Sequence, residues 1–342
     1  MLFRRHKDAM VLSKQFCFVL TAVNAFLILA LLVASNPAQV AQPARHSTIA
    51  TKVALGRTLY FDKRLSVDGT VSCASCHDPA TAFASKDTVA LGVRNNRGTR
   101  NAPTLLNVKF GGSFFWDGRV RTLEEQAEQP LLNAAEMGFE NEAALVARLS
   151  SISEYQKAFR RVFPHEGITL KTIAGAIAAY ERTLTSRNSP FDRFIKGDRN
   201  ALTLSQKAGW QLVKGKARCI VCHAFSTSSP FFTDFKFYNT GVVAKALDSS
   251  TLTQRADDLR LRRQSESLSA SLLAHQAEFS ELGRFLVTQA EKDIGAFKTP
   301  TLRDVELTGP YMHNGSLRTL LDVIRFYNQG GQKNPHLDSK MR

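Results

Sequence analysis

Cys73-Ala74-Ser75-Cys76-His77 and Cys219-Ile220-Val221-Cys222-His223 are two copies of one pattern, Cys-x-x-Cys-His. Two thiols three residues apart can each form a thioether to one of the two vinyl groups of a porphyrin. The imidazole that follows is then placed to bind the iron. A redox Cys-x-x-Cys needs no histidine in the fifth place, and no leftover Cys/His pairs complete a zinc set. The pattern therefore predicts two covalently attached haem c groups, with His77 and His223 as proximal ligands.

Four of the five cysteines lie in these motifs, and the fifth, Cys17, opens an apolar run that reaches Ala34. Arg4, Arg5, Lys7 and Lys14 precede the run, which gives it the layout of an export signal. Residues 1–41 thus read as a signal peptide, or as an N-terminal membrane anchor with its linker. Thr21 and Asn24 interrupt the run and its length is marginal for a bilayer, which favours a cleaved leader. Either reading puts the rest of the chain in the periplasm, where haem c is attached.

Outward from the motifs, apolar residues recur at helical steps in Ile49–Tyr60, Leu123–Leu131, Glu142–Leu149, Ile168–Leu184, Ser205–Lys214 and Leu317–Tyr327. No stretch alternates in the manner of a strand. The expected fold is all-α, two cytochrome-c-like haem domains with long loops. Arg187-Asn188-Ser189-Pro190 marks the boundary, giving an N-terminal haem domain over 42–190 and a C-terminal haem domain over 191–342. Residues 245–280 read as a solvated helical insert whose charges nearly cancel.

The chain has 342 residues, 45 basic and 30 acidic, for a formal net charge of +15. Its basic residues are scattered, without a basic run interleaved with aromatics, which argues against nucleic acid as a partner.

Further motifs stand in a fixed order. Arg100-Asn101-Ala102-Pro103-Thr104-Leu105-Leu106-Asn107 leads to Phe114-Phe115-Trp116-Asp117-Gly118-Arg119, then to Gln126, Pro130 and Glu136-Met137-Gly138. Late in the chain come Phe297-Lys298-Thr299-Pro300-Thr301-Leu302-Arg303-Asp304 and Leu307-Thr308-Gly309-Pro310-Tyr311-Met312-His313-Asn314-Gly315. With the haem motifs, this series closely resembles the bacterial dihaem cytochrome c peroxidase and MauG family, from about Ala54 to Gly331 apart from the insert.

The resemblance implies a peroxidatic haem on His77, with Glu136 as its distal acid–base group and Gln126 and Pro130 lining the same pocket. A partly desolvated carboxylate suits the task, because O–O heterolysis needs a proton carried from one peroxide oxygen to the other. Trp116 matches the relay between the haems. Asn101, Thr308 and Pro310 match a calcium site of side-chain and backbone oxygens, implying one bound Ca2+. The implied partners are hydrogen peroxide and either an electron donor (a small redox protein or a quinol-linked donor) or a protein substrate.

Two departures refine the expectation. Many relatives carry a plugging histidine sixteen residues after the first motif, where this chain has Val93. No other histidine occurs between His77 and His165. The first haem is thus expected to be open at rest, as in MauG; otherwise its ligand would have to come from the insert or from near His275. At the second haem, the position of the usual methionine ligand is Tyr327, with Met312 as the fallback. Phenolate favours ferric and higher states, whereas thioether favours ferrous iron. The expected function is a dihaem peroxidase. The alternatives are a MauG-like enzyme that modifies a partner protein and a non-catalytic electron-transfer cytochrome. Ala217 stands where MauG has its surface tryptophan, which argues against MauG's own substrate.

Overall fold

The computed structural model describes residues 43–228, 230–242 and 249–341. The expected leader and Cys17 lie outside the described residues. The chain divides into two units, 1–48 and 49–342, and the site lies wholly in the second. Among the described residues no helix is long and apolar enough to cross a membrane.

Helices dominate: Pro43–Phe61, Leu123–Leu132, Glu142–Ser150, Ser153–Val162, Leu170–Glu181, Leu204–Lys214, Ser249–Arg262 and Leu320–Asn328 are the longer ones. Sheet among the described residues is one antiparallel pair, Phe237–Tyr238 with Phe297–Lys298. The two helices that begin later than their apolar pattern do so for the same reason. Thr169 Oγ1 accepts from Thr172 N, and Thr319 Oγ1 accepts from Asp322 N, so each threonine satisfies an orphan N–H and fixes the first turn.

The main core lies beside the first haem motif. Leu55, Leu59, Leu131, Leu145, Leu149, Phe159, Ile173 and Ile177 are almost wholly buried there, each worth about 1.5–3 kcal/mol of burial. Gly56 lets the first helix cross the Leu170–Glu181 helix, because a Cβ there would fall 1.8 Å from the Ala176 carbonyl oxygen. A second core gathers Leu252, Ala256, Leu259, Leu273, Phe279, Leu282 and Phe285. The described part of the insert, 249–280, therefore packs with its own apolar interior and is not a solvated decoration.

The segment 101–130 has a counterpart in 298–327. Pro103 answers to Pro300, Trp116 to His313, Thr122 to Thr319 and Pro130 to Tyr327, in constant register. The geometry repeats as well. Phe114 bridges Val120 as Tyr311 bridges Leu317. Phe115 and Met312 both adopt positive φ, as do Gly118 and Gly315. The two copies clasp each other: Asn101 N donates to His313 O at 2.7 Å and Lys298 N donates to Trp116 O at 2.8 Å.

Candidate active site

A cavity at the meeting of these layers is lined by Cys73, Cys76, His77, Trp116, Gln126, Pro130, Glu136 and His275, and from the other half by Phe235 and Lys298. His77 is oriented by its far nitrogen. Nδ1 lies 3.0 Å from Pro103 O and 3.2 Å from Phe83 O, so Nδ1 is the donor and Nε2 keeps its lone pair. Burial lowers the imidazole pKa and keeps the ring neutral, as an iron ligand must be. His223 repeats the device with Nδ1 3.0 Å from Phe232 O.

The residues fit a haem. The thiols of Cys73, Cys76, Cys219 and Cys222 are all free. In the first cavity Gln126 Oε1 is buried without a partner, available to a polar group brought in beside the porphyrin. Leu321 and Ile324, on the helix that carries Tyr327, are exposed apolar side chains suited to a porphyrin plane. Cys222 and Cys219, after burial, are the causes that push Tyr327 up to about 12, which puts the phenol near both thiols.

Glu136 is held by its backbone. Its N–H donates to Asn133 O at 3.0 Å and its carbonyl accepts from Val93 N at 2.9 Å. Val93 itself is fully buried. The close approach requires Gly92, where a Cβ would lie 2.0 Å from Ala135 O. Asn133 Nδ2 donates to Glu136 Oε1 at 3.4 Å. Burial pushes the carboxyl above the usual carboxylate range, against the pull of Arg119.

Behind the pocket sits Asp117, fully buried, with Arg100 at 2.6 Å and Arg119 at 3.1 Å. Burial raises its carboxyl pKa, but the two guanidinium groups outweigh that and hold it below the usual range. Trp116 lines the same cavity and donates its indole N–H to Asn101 O at 2.8 Å. Asn101 Nδ2 donates to Asp87 O at 2.9 Å, which orients the side-chain amide.

The structure thus brings Glu136, Gln126, Pro130 and Trp116 into one cavity with the first motif, and Tyr327 near the second. Met312 lies in the Tyr311–Leu317 turn at φ 73°. His275, Arg119, Asp117 and Glu181 are the neighbours that the motif series had not assigned to the site. The sequence signal for His275 is weak, because it lies far from every motif that it meets in space.

Comparison with known proteins agrees with this arrangement. Residues 50–200 match the family model described as di-haem cytochrome c peroxidase. The chain is 36% identical over 291 residues to a cytochrome-c peroxidase of Pseudomonas sp. (strain SCT), covering 84% of this chain and 75% of that protein. It is 35% identical over 309 residues to the methylamine utilization protein MauG of Methylophilus methylotrophus, covering 90% of this chain and 81% of that one. The crystal structure of a MauG-like protein associated with microbial copper homeostasis superposes with a TM-score of 0.67 at 33% identity, covering 85% of this chain and 81% of that chain. Two free Cys-x-x-Cys-His sites, each with its histidine oriented for iron, and this kinship lead to one conclusion: the chain belongs to the di-haem cytochrome c peroxidase family, as an oxidoreductase carrying two covalently bound haem c groups.

Proposed function

We propose that the protein is a periplasmic peroxidase that reduces hydrogen peroxide in the His77 cavity with electrons relayed from the His223 side. The observation that carries this reading is Glu136, a carboxyl held by its backbone in the same cavity as His77 and the first two thiols. Haem bound there would supply the electron-rich metal centre at which the O–O bond breaks. Glu136 takes the proton from the inner peroxide oxygen and returns it to the departing one. Gln126 offers a side-chain amide to the same small ligand, and Pro130, without an N–H, keeps the helix wall apolar. Trp116 stands where the two repeats clasp, which suits a relay between the halves. Asn101, Thr308 and Pro310 are the proposed calcium ligands. A small redox protein or a quinol-linked donor supplies the electrons.

The test is Glu136→Gln, which keeps the shape but cannot take a proton. Peroxide cleavage is expected to slow by about two to four orders of magnitude with both haems retained. A variant that reacts as fast as the parent protein removes Glu136 from the chemistry.

A second reading, peroxide-driven modification of a partner protein, is favoured by two particular residues. Val93 is buried beneath Glu136 where a plugging histidine would stand, and Tyr327 replaces the methionine. On this reading the ferric protein reacts with peroxide without prior reduction. A requirement for half-reduction would refute it.

A further inference from the structure

His275 ends the short Ala270–Ala274 helix, its N–H directed at the Leu272 and Leu273 carbonyls. Three ties fix this helix over the cavity. Ser271 Oγ donates to Gln129 Oε1 at 2.9 Å. Thr99 Oγ1 donates to Ala274 O at 2.7 Å. Leu273 and Ala274 are buried in the second core. The imidazole therefore lines the cavity, with Nδ1 3.7 Å from Glu136 Oε1.

The charged groups that act on it are Glu136, Arg119, Arg100 and Asp117. Asp117 already pairs with both arginines. Burial, with Arg119 and Arg100 next, pushes His275 down to about 4, so the ring is neutral near neutral pH. A neutral imidazole has one N–H and one lone pair, and can take a proton on one side while giving one from the other.

The chemistry calls for such a group. Reduction of peroxide to two waters consumes two electrons and two protons. The transfer by Glu136 between the two oxygens is internal to the peroxide and supplies neither proton. We propose that His275 is the proton partner of Glu136, taking protons from solvent at Nε2 and passing them from Nδ1 to the carboxylate. The ring ends neutral in its other tautomer, which exchange with solvent resets. At 3.7 Å the pair lies just beyond hydrogen-bond reach, a gap that a small side-chain rotation closes. His275 acts through Glu136 and is a positioning residue. The inference rests on the peroxide reading of the Glu136 pocket.

The test uses holoprotein with His275→Ala and His275→Gln. Hydrogen cyanide must give up its proton as it binds ferric iron, so its association rate reports the proton partner without turnover. Both variants are expected to bind cyanide and cleave peroxide about 10- to 100-fold more slowly. His275→Gln, which fills the space but cannot relay a proton, should be as slow as His275→Ala. Unchanged rates in both variants overturn the proposal. So does a loss confined to alanine, which would mean packing alone. A low-spin ferric haem that turns high-spin in His275→Ala would make the residue an iron ligand and overturn it equally. Normal peroxide cleavage in Glu136→Gln would remove Glu136 from the peroxide reading, while the cyanide rates would still judge His275.

Discussion

Trp116 and Lys298 are joined by a backbone hydrogen bond, with the Lys298 N–H 2.8 Å from the Trp116 carbonyl oxygen. The bond has a twin in Asn101 N–H to His313 O at 2.7 Å. Lys298 occupies in the second repeat the place of Asn101 in the first, and His313 that of Trp116. The two halves thus meet by an exchange of equivalent contacts, as the subunits of a two-fold dimer do. The indole lies on this seam, and its N–H is fixed on Asn101 O.

The repeat also pairs Pro130 with Tyr327. One half places a residue without a donor or ligand atom where the other places a phenol. This supports an open first haem and a ligated second one. Tyr327→Phe is expected to leave the second haem five-coordinate and high-spin when ferric. Tyr327→Met should restore six-coordination and raise the reduction potential, since thioether favours ferrous iron. Absorption spectra and a redox titration check both; a spectrum unchanged in Tyr327→Phe would return the ligand role to Met312.

Haem attachment divides cleanly between the motifs. Cys73→Ala should reduce haem retention at the first site only, and Cys219→Ala at the second only. Intact mass of protein matured with the c-type assembly machinery is the measurement. The parent should exceed its polypeptide by two haem masses.

Glu181 makes stability depend on pH. It lines the first cavity, Oε2 has no partner, and burial raises its pKa from 4.5 to about 8. The folded state holds this proton more tightly than the unfolded chain. Its contribution is therefore fully present below pH 4.5 and is lost as pH rises to about 8. Denaturant titrations across that window should show Glu181→Gln gaining on the parent with rising pH, by a few kcal/mol at most (roughly 1.4 kcal/mol per pKa unit). Parallel pH profiles would mean that the carboxyl is solvated.

Asp117→Asn leaves Arg100 and Arg119 buried without their counter-charge. Breaking a buried pair in this way costs about 3–5 kcal/mol. Thermal melts should register the loss, and Glu136, which feels Arg119, should change its pH profile of peroxide cleavage in the same variant.

Much of this molecule was legible in its sequence. The paired Cys-x-x-Cys-His segments determined the cofactor, because thioether and axial bonds depend on neighbours within five residues. Several of the longer helices followed from apolar periodicity, but Ser153–Val162 did not, and the starts at Leu170 and Leu320 were set by threonine caps that the periodicity ran past. Glu136 and Trp116 were reached only through resemblance to a family, since a glutamate or tryptophan in a helical protein has no local mark of its role. The rest belongs to the tertiary structure. The 245–280 segment reads as polar because its charges balance, but Leu252, Leu259, Leu273 and Phe279 bury together once the chain closes. That burial carries His275 to within 3.7 Å of Glu136, a residue far away along the chain. Contacts of this kind are set by packing over long sequence separation, and no local pattern of residue types encodes them.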